Sequence, residues 1–199
     1  MFKKKIVENL AYPKGIFGLV VGSMLKGNIR EYLQGLRHMD IVDGLTVLDV
    51  GCGPGYGINE ILKMNSTVRV DGMDISSLMV RKARRNTDPA RVSIIHGDFI
   101  AHDFGTMKYD RILMLNLVYF VNDLKACIGK AAGILSGKGK IILGMAAPEL
   151  LETLLGKYKG SFHLHGIQEA VDALKSWNLK VELHEDEHQK GSFYVVASR

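Results

Sequence analysis

Between Val47 and Gly57 the chain reads VLDVGCGPGYG, an apolar, β-branched run that meets glycine at every second position. Glycine takes left-handed backbone conformations at no steric cost, so such a run packs sharp turns into a few residues. The pattern predicts a strand over Thr46 to Val50, a tight loop, and a helix over Ile58 to Lys63. In an open parallel sheet, ligands bind where a strand's carboxyl end leads into a helix, because the helix amino terminus presents unpaired N–H groups. This one segment therefore predicts an α/β fold and a loop that holds something polar.

The same unit recurs along the chain. Thr67 to Met73 reads as a strand followed by a helix over Ser76 to Arg85, and Val92 to Ile95 as the next strand. Tyr109 to Leu115 is a nearly continuous apolar strand, Leu124 to Leu135 a helix ended by Ser136 and Gly137, and Lys140 to Met145 a further strand. Strands apolar on both faces that alternate with helices imply a mostly parallel sheet covered on each side. Pro148 to Leu155 and Ile167 to Trp177 add helix. The runs Lys180 to Leu183 and Ser192 to Ala197, with a polar stretch between them, read as a closing antiparallel hairpin. Ahead of the glycine loop, Val20, Met24, Leu25, Ile29, Tyr32, Leu33 and Leu36 recur at helical spacing after a turn at Pro13 and Gly15. With 199 residues, 47% hydrophobic and 24% charged, the chain has material for one full core. A single domain over 1–199 is expected: a helical segment over 1–37, a ligand-binding core over 45–145, and further helices with the hairpin over 146–199.

Several function classes are excluded by spacing or count. The dinucleotide pattern GxGxxG fails from Gly51, which would need glycine where Tyr56 stands, and from Gly53, which would need it at Ile58. No GxxxxGK[ST] frame exists for a phosphate loop. Cys52 and Cys127 are too few for a disulfide framework or a structural zinc site, and point to a reducing compartment, the cytoplasm. The longest apolar runs, Ile16 to Leu25 and Ile112 to Val121, fall short of the ~18 residues of a membrane span. A secretory signal is not expected, because Glu8, Asn9, Pro13 and Lys14 break the apolar stretch behind Lys3 to Lys5. The formal charge of +5 is compatible with nucleic acid, an anionic substrate or simple solubility.

The remaining pattern, Asp49, Gly51, Gly53 and Gly55 as D-x-G-x-G-x-G, resembles motif I of the class I S-adenosylmethionine (SAM) dependent methyltransferases. VDGMDI, Val70 to Ile75, is similar to that family's second strand with its terminal acid. Gly97, Asp98 and Phe99 resemble the third-strand motif, Tyr109 to Leu124 the fourth-strand segment, and Gly137 to Ile142 the turn and fifth strand. The resemblance implies a Rossmann-like, doubly wound, mostly parallel seven-stranded sheet with an antiparallel C-terminal hairpin and an N-terminal helical lid. It further implies a cofactor site of Asp49, Gly51, Cys52, Gly53, Tyr56, Asp74, Ile75, Asp98, Phe99 and Asn116. In it Asp74 takes the ribose hydroxyls, Asp98 and a neighbouring amide read the adenine edge, and Asn116 lies under the methionine part. S-adenosylhomocysteine (SAH) would be the product. Tyr12, Met24 and Tyr119 are implied lid or substrate contacts. The acceptor is expected to be a small molecule, with RNA, protein or a non-catalytic SAM-binding role as alternatives.

Other features read as structural. Cys52 has no base nearby in sequence and is expected to fill the loop. HExxH at His184 to His188 lies between two strand patterns and is expected at a solvated hairpin tip, not on a zinc-binding helix. His163 and His165 lack a carboxylate partner in sequence, so no metal is expected. Tyr119 and His163 are the weak candidates for an acid or base, with core packing equally open for Tyr119. Asn116 and Tyr119 have the spacing of N-P-P-Y, but Leu117 and Val118 replace its rigid prolines. Arg81, Lys82, Arg84 and Arg85 read as a solvated helix face. If Asp74 serves only a ligand, its removal should leave folding nearly untouched.

Overall fold

Short apolar runs bounded by glycine or polar turns form the central parallel strands, in a computed structural model that describes residues 29–155 and 163–199. The chain divides into two compact units, Met1–Asp103 and Phe104–Arg199. The first contains strands β1 (Thr46–Val50), β2 (Arg69–Asp74) and β3 (Val92–His96), with helices α1 (Ile29–Leu36), α2 (Tyr56–Met64) and α3 (Ser77–Asn86). β1 and β2 pair in parallel, Asp49 opposite Gly72, and β2 pairs with β3, Asp74 opposite His96. Val47, Leu48 and Val50 are all buried, as expected of a strand covered on both faces, and each such side chain stabilises the fold by roughly 1.5–3 kcal/mol. Gly72 lets its neighbours pack closely: a Cβ there would stand 2.6 Å from Ile58 Cδ1 and 2.8 Å from Ile94 Cδ1, so both isoleucine ends would have to shift. The start of α3 is set by Ser76, whose hydroxyl accepts the Met79 amide, and its inner face by Met79, Val80 and Ala83.

The second unit contains β4 (Tyr109–Leu115), β5 (Leu135–Ala146), β6 (Lys180–Glu185) and β7 (Ser192–Ser198), with α4 (Leu124–Gly133), α5 (Pro148–Leu155) and α6 (Ile167–Lys175). β4 and β5 are parallel, and β7 runs antiparallel to β5 on one side and β6 on the other. Ile112 to Met114, Ile141 to Leu143 and Val195 form its buried centre. The strands make a seven-stranded sheet in the order β3-β2-β1-β4-β5-β7-β6, mostly parallel with the antiparallel pairings at one end. This is the Rossmann-like architecture and closing hairpin expected from the sequence.

Most boundaries shift by a residue or two, and three differences are larger or bear on an expected feature. The helix predicted to reach Leu135 stops at Gly133, and Ser136 and Gly137 lie inside β5. Leu135 pairs opposite Tyr109 and folds its side chain over Gly139, where a Cβ would meet it at 2.6 Å, so the sheet takes a residue that continues the helical period. The last helix ends at Lys175, short of Trp177. At the HExxH stretch His184 and Glu185 belong to β6, and Glu185, Glu187 and His188 are exposed as expected of a solvated hairpin tip, while Asp186 between them is buried. Asp186 accepts the amides of His188 and Gln189 and the Tyr194 hydroxyl; these outweigh its burial and hold its carboxyl below the usual range. Tyr12, Met24 and the part of the expected N-terminal helix that precedes Ile29 lie outside the described residues, as do 156–162. Among the described residues no helix is long and apolar enough to cross a membrane.

Candidate functional site

The loop after β1 is held by backbone bonds that only this glycine pattern permits. Gly51, Gly53 and Gly55 have φ of 77°, 55° and 83°, all in the left-handed region. Their turns aim the amides of Gly51 and Cys52 at one acceptor, the Met73 carbonyl, at 2.7 and 3.0 Å. The next amide, Gly53, donates to Asp74 Oδ2 at 2.9 Å, while Asp74 Oδ1 accepts the Ser76 amide at 2.8 Å. The half-buried Asp74 carboxylate thus ties the glycine loop to the start of α3. Gly55 then caps α2 without a side chain, in a space where a Cβ would stand 2.8 Å from Thr87 Cγ2.

Asp49 is the penultimate residue of β1 and is 2% exposed. Its Oδ2 accepts the Tyr32 hydroxyl at 2.8 Å, bringing α1 onto the strand. The Tyr32 ring covers Gly57, where a Cβ would stand 2.1 Å from its Cζ. Burial pushes the Asp49 carboxyl up to about 7, against the stabilising Tyr32 hydrogen bond and with the help of nearby Asp74. Burial likewise raises Asp74, although the Ser76 and Gly53 amides and His96 pull it back. The Tyr32 hydroxyl is held well above its ordinary value, first by burial and then by Asp49. Cys52 is buried in the loop, its thiol driven up by burial and by both carboxylates, which removes its use as a nucleophile at neutral pH.

Around this centre, Ile75 is partly exposed and its carbonyl accepts His96 Nε2 at 3.1 Å. Asp98 Oδ1 accepts the amides of Ile100 and Ala101 at 2.8 and 3.3 Å, shaping the turn after β3, and Phe99 beside it is buried. Tyr56 opens α2 and is half-buried. Gly51, Cys52 and Gly53 are thus bonded to the end of β2 at Met73 and Asp74, while Asp49 is bonded to Tyr32, all within one unit.

In the second unit Asn116 follows β4 with φ of 56°, a left-handed value rarely taken by residues other than glycine. Tyr119 is buried and its hydroxyl accepts the Ala146 amide, a packing role. The exposed His163 donates its backbone N–H to the Tyr119 carbonyl, and its ring stacks on His165 at 5.9 Å. His165 does have a carboxylate neighbour: Nδ1 lies 3.3 Å from Glu169 Oε2, and Nε2 lies 2.8 Å from the Val121 carbonyl. Among the described residues no three metal-ligating side chains cluster.

The residue that sequence reasoning missed is Tyr32, taken there only as one apolar position on a helical stripe. Its signal was the combination of a hydroxyl on that stripe with a fourth glycine, Gly57, that no left-handed turn requires.

The donor set fits a cationic nucleoside better than a phosphate ligand. A buried carboxylate, Asp49, and a half-buried one, Asp74, flank the loop. Each Asp74 oxygen keeps a lone pair beyond its backbone bond, and Lys and Arg are missing from Val47 to Gly57.

Comparison with known proteins agrees. Residues 47–139 match the family described as "Methyltransferase domain". An uncharacterized methyltransferase of Bacillus subtilis, YdaC, is 27% identical over 154 residues, which are 74% of this chain and 84% of that one. A ubiquinone biosynthesis O-methyltransferase of Rhodopseudomonas palustris is 21% identical over 57% of this chain, which spans only 45% of that relative's length. Among solved structures, a SAM-dependent methyltransferase from Mesorhizobium loti superposes with a TM-score of 0.74 at 16% identity, covering 85% of this chain and 97% of its own.

Proposed function

We propose that this chain is a class I SAM-dependent methyltransferase that transfers a methyl group to a nucleophilic atom of a small molecule. The observation that carries the cofactor reading is the glycine loop tied by its Gly53 amide to Asp74, with the buried Asp49 just ahead of it in β1. Bound SAM supplies a methyl carbon already activated by its sulfonium, so the protein's contribution is to align donor and acceptor and to exclude water. Asp74 offers its remaining lone pairs to the ribose diol, the Asp49 side of the loop takes the cationic amino acid, and Asp98 with Phe99 borders the adenine. A separate catalytic base is not required for such a displacement. The small-molecule acceptor is supported by the O-methyltransferase relative named for ubiquinone biosynthesis. Two free, buried cysteines support a reducing compartment, the cytoplasm, as the place of reaction.

The cofactor is tested by thermal melting. SAM and SAH should each raise the melting temperature through mass action, and NAD at equal concentration should not. A shift with NAD and none with SAM or SAH refutes the assignment. The acceptor is tested by following SAH release with a panel of phenols, amines and thiols, beside total RNA and a protein extract. Turnover confined to RNA or protein refutes the small-molecule reading, and stoichiometric SAM binding with no turnover on any of them favours a binding protein.

A further inference from the structure

A carboxylate buried near the end of an internal strand must lose its charge unless donors or a cation stabilise it. Asp49 is such a group. Among the described residues, those acting on it are Tyr32 from α1, Asp74 from the end of β2 and Cys52 from the loop, and none of the three is a cation. Asp74 repels its charge, and Tyr32 alone of the three favours it, through the 2.8 Å hydrogen bond. Packing holds the tyrosine in place for this contact. Its ring covers Gly57, so the hydroxyl is delivered to Oδ2 by the fit of the ring as well as by the bond itself.

We propose that Tyr32 is a positioning residue for cofactor binding, holding Asp49 in the charged form that meets the ammonium group of the cofactor's amino acid and so coupling α1 to the glycine loop. This rests on the SAM reading above. It implies a proton exchange: in the ligand-free protein a fraction of Asp49 carries a proton, and that proton leaves to solvent when the ligand's ammonium takes its place. A ligand with the same nucleoside and thioether but no amino acid lacks the ammonium and should not displace it.

The test is calorimetric titration of SAH and of 5′-methylthioadenosine between pH 5.5 and 8.5 into wild type, Tyr32→Phe and Asp49→Asn. Phenylalanine keeps the ring over Gly57 and removes only the hydroxyl. In wild type, SAH affinity should rise about tenfold from pH 6 to pH 8. In Tyr32→Phe it should be about tenfold weaker near pH 6.5, with the loss shrinking toward pH 8.5; in Asp49→Asn it should be weak and flat. Methylthioadenosine affinity should change less than threefold throughout, which separates Asp49 from Asp74 because both ligands carry the ribose. Carbon-13 NMR of the ligand-free protein should place the Asp49 carboxyl midpoint higher in Tyr32→Phe than in wild type. Superimposable SAH curves for wild type and Tyr32→Phe, an unmoved Asp49 midpoint, or an equal loss for both ligands overturns the proposal. If wild type binds neither ligand while its Asp49 midpoint still responds to Tyr32→Phe, the cofactor reading fails with it.

Discussion

Asp74 and Asp49 are both strand acids beside the glycine loop, yet their carboxylates are employed differently. Asp74 accepts one backbone amide on each oxygen, so its removal leaves Gly53 and Ser76 without their acceptors. Asp74 thus has a structural task beside any ligand contact, and its loss is expected to cost folding as well. Asp74→Ala should lower unfolding free energy by ~1–3 kcal/mol and reduce SAH affinity by about one to two powers of ten, read by denaturant melts and calorimetry on the same variant. Asp49 has a different signature, in the pH dependence of stability. Its folded value of about 7 lies above the ordinary carboxylate value, so the folded state binds the proton more tightly than the unfolded chain. Its contribution is fully present below the unfolded value near 4 and is lost as pH rises through about 7. Ligand-free wild type should lose stability between pH 5 and pH 8 by a component that is missing from Asp49→Asn, and parallel urea melts of the two proteins measure it. Both acids were legible in the sequence because the glycine spacing and the strand end marked them. Their bonds to Gly53, Ser76 and Tyr32 were not, since those depend on contacts as far as 21 residues apart.

At the scale of elements, α1 rests against the glycine loop where the Tyr32 ring covers Gly57. Gly57→Ala would place a methyl 2.1 Å from the ring, well inside any tolerable distance, so the ring must move and α1 with it. The expected outcome is a destabilisation of ~1–3 kcal/mol and a loss of the Tyr32–Asp49 bond, seen as a rise in the Asp49 midpoint. A variant with wild-type stability and an unchanged midpoint contradicts the contact. The parallel strands were legible because burial on both faces leaves an almost unbroken apolar run, as in Ile112 to Met114. The α4–β5 junction was not. Ile134 and Leu135 continue the helical period, and only pairing with Tyr109 assigns Leu135 to the sheet.

For the molecule as a whole, we propose that the segment ahead of Ile29 serves as the lid expected from its apolar periodicity. Deleting Met1–Leu25 should leave a folded domain with weaker SAM affinity and no turnover; normal methylation by the truncated chain contradicts it. The sheet order bears on another process, synthesis. β7 follows β6 in the chain yet lies between β5 and β6, so neither of those strands acquires this shared neighbour until Ser192–Ser198 has been made. At ~5–20 residues per second, the ~46 residues between Ala146 and Ser192 take ~2–10 s to add. For those seconds the apolar edge of β5, Ile141 to Leu143, stands on the ribosome with one side of its backbone unpaired. A strand edge left unpaired in this way is aggregation-prone, the kind of surface that chaperones shield.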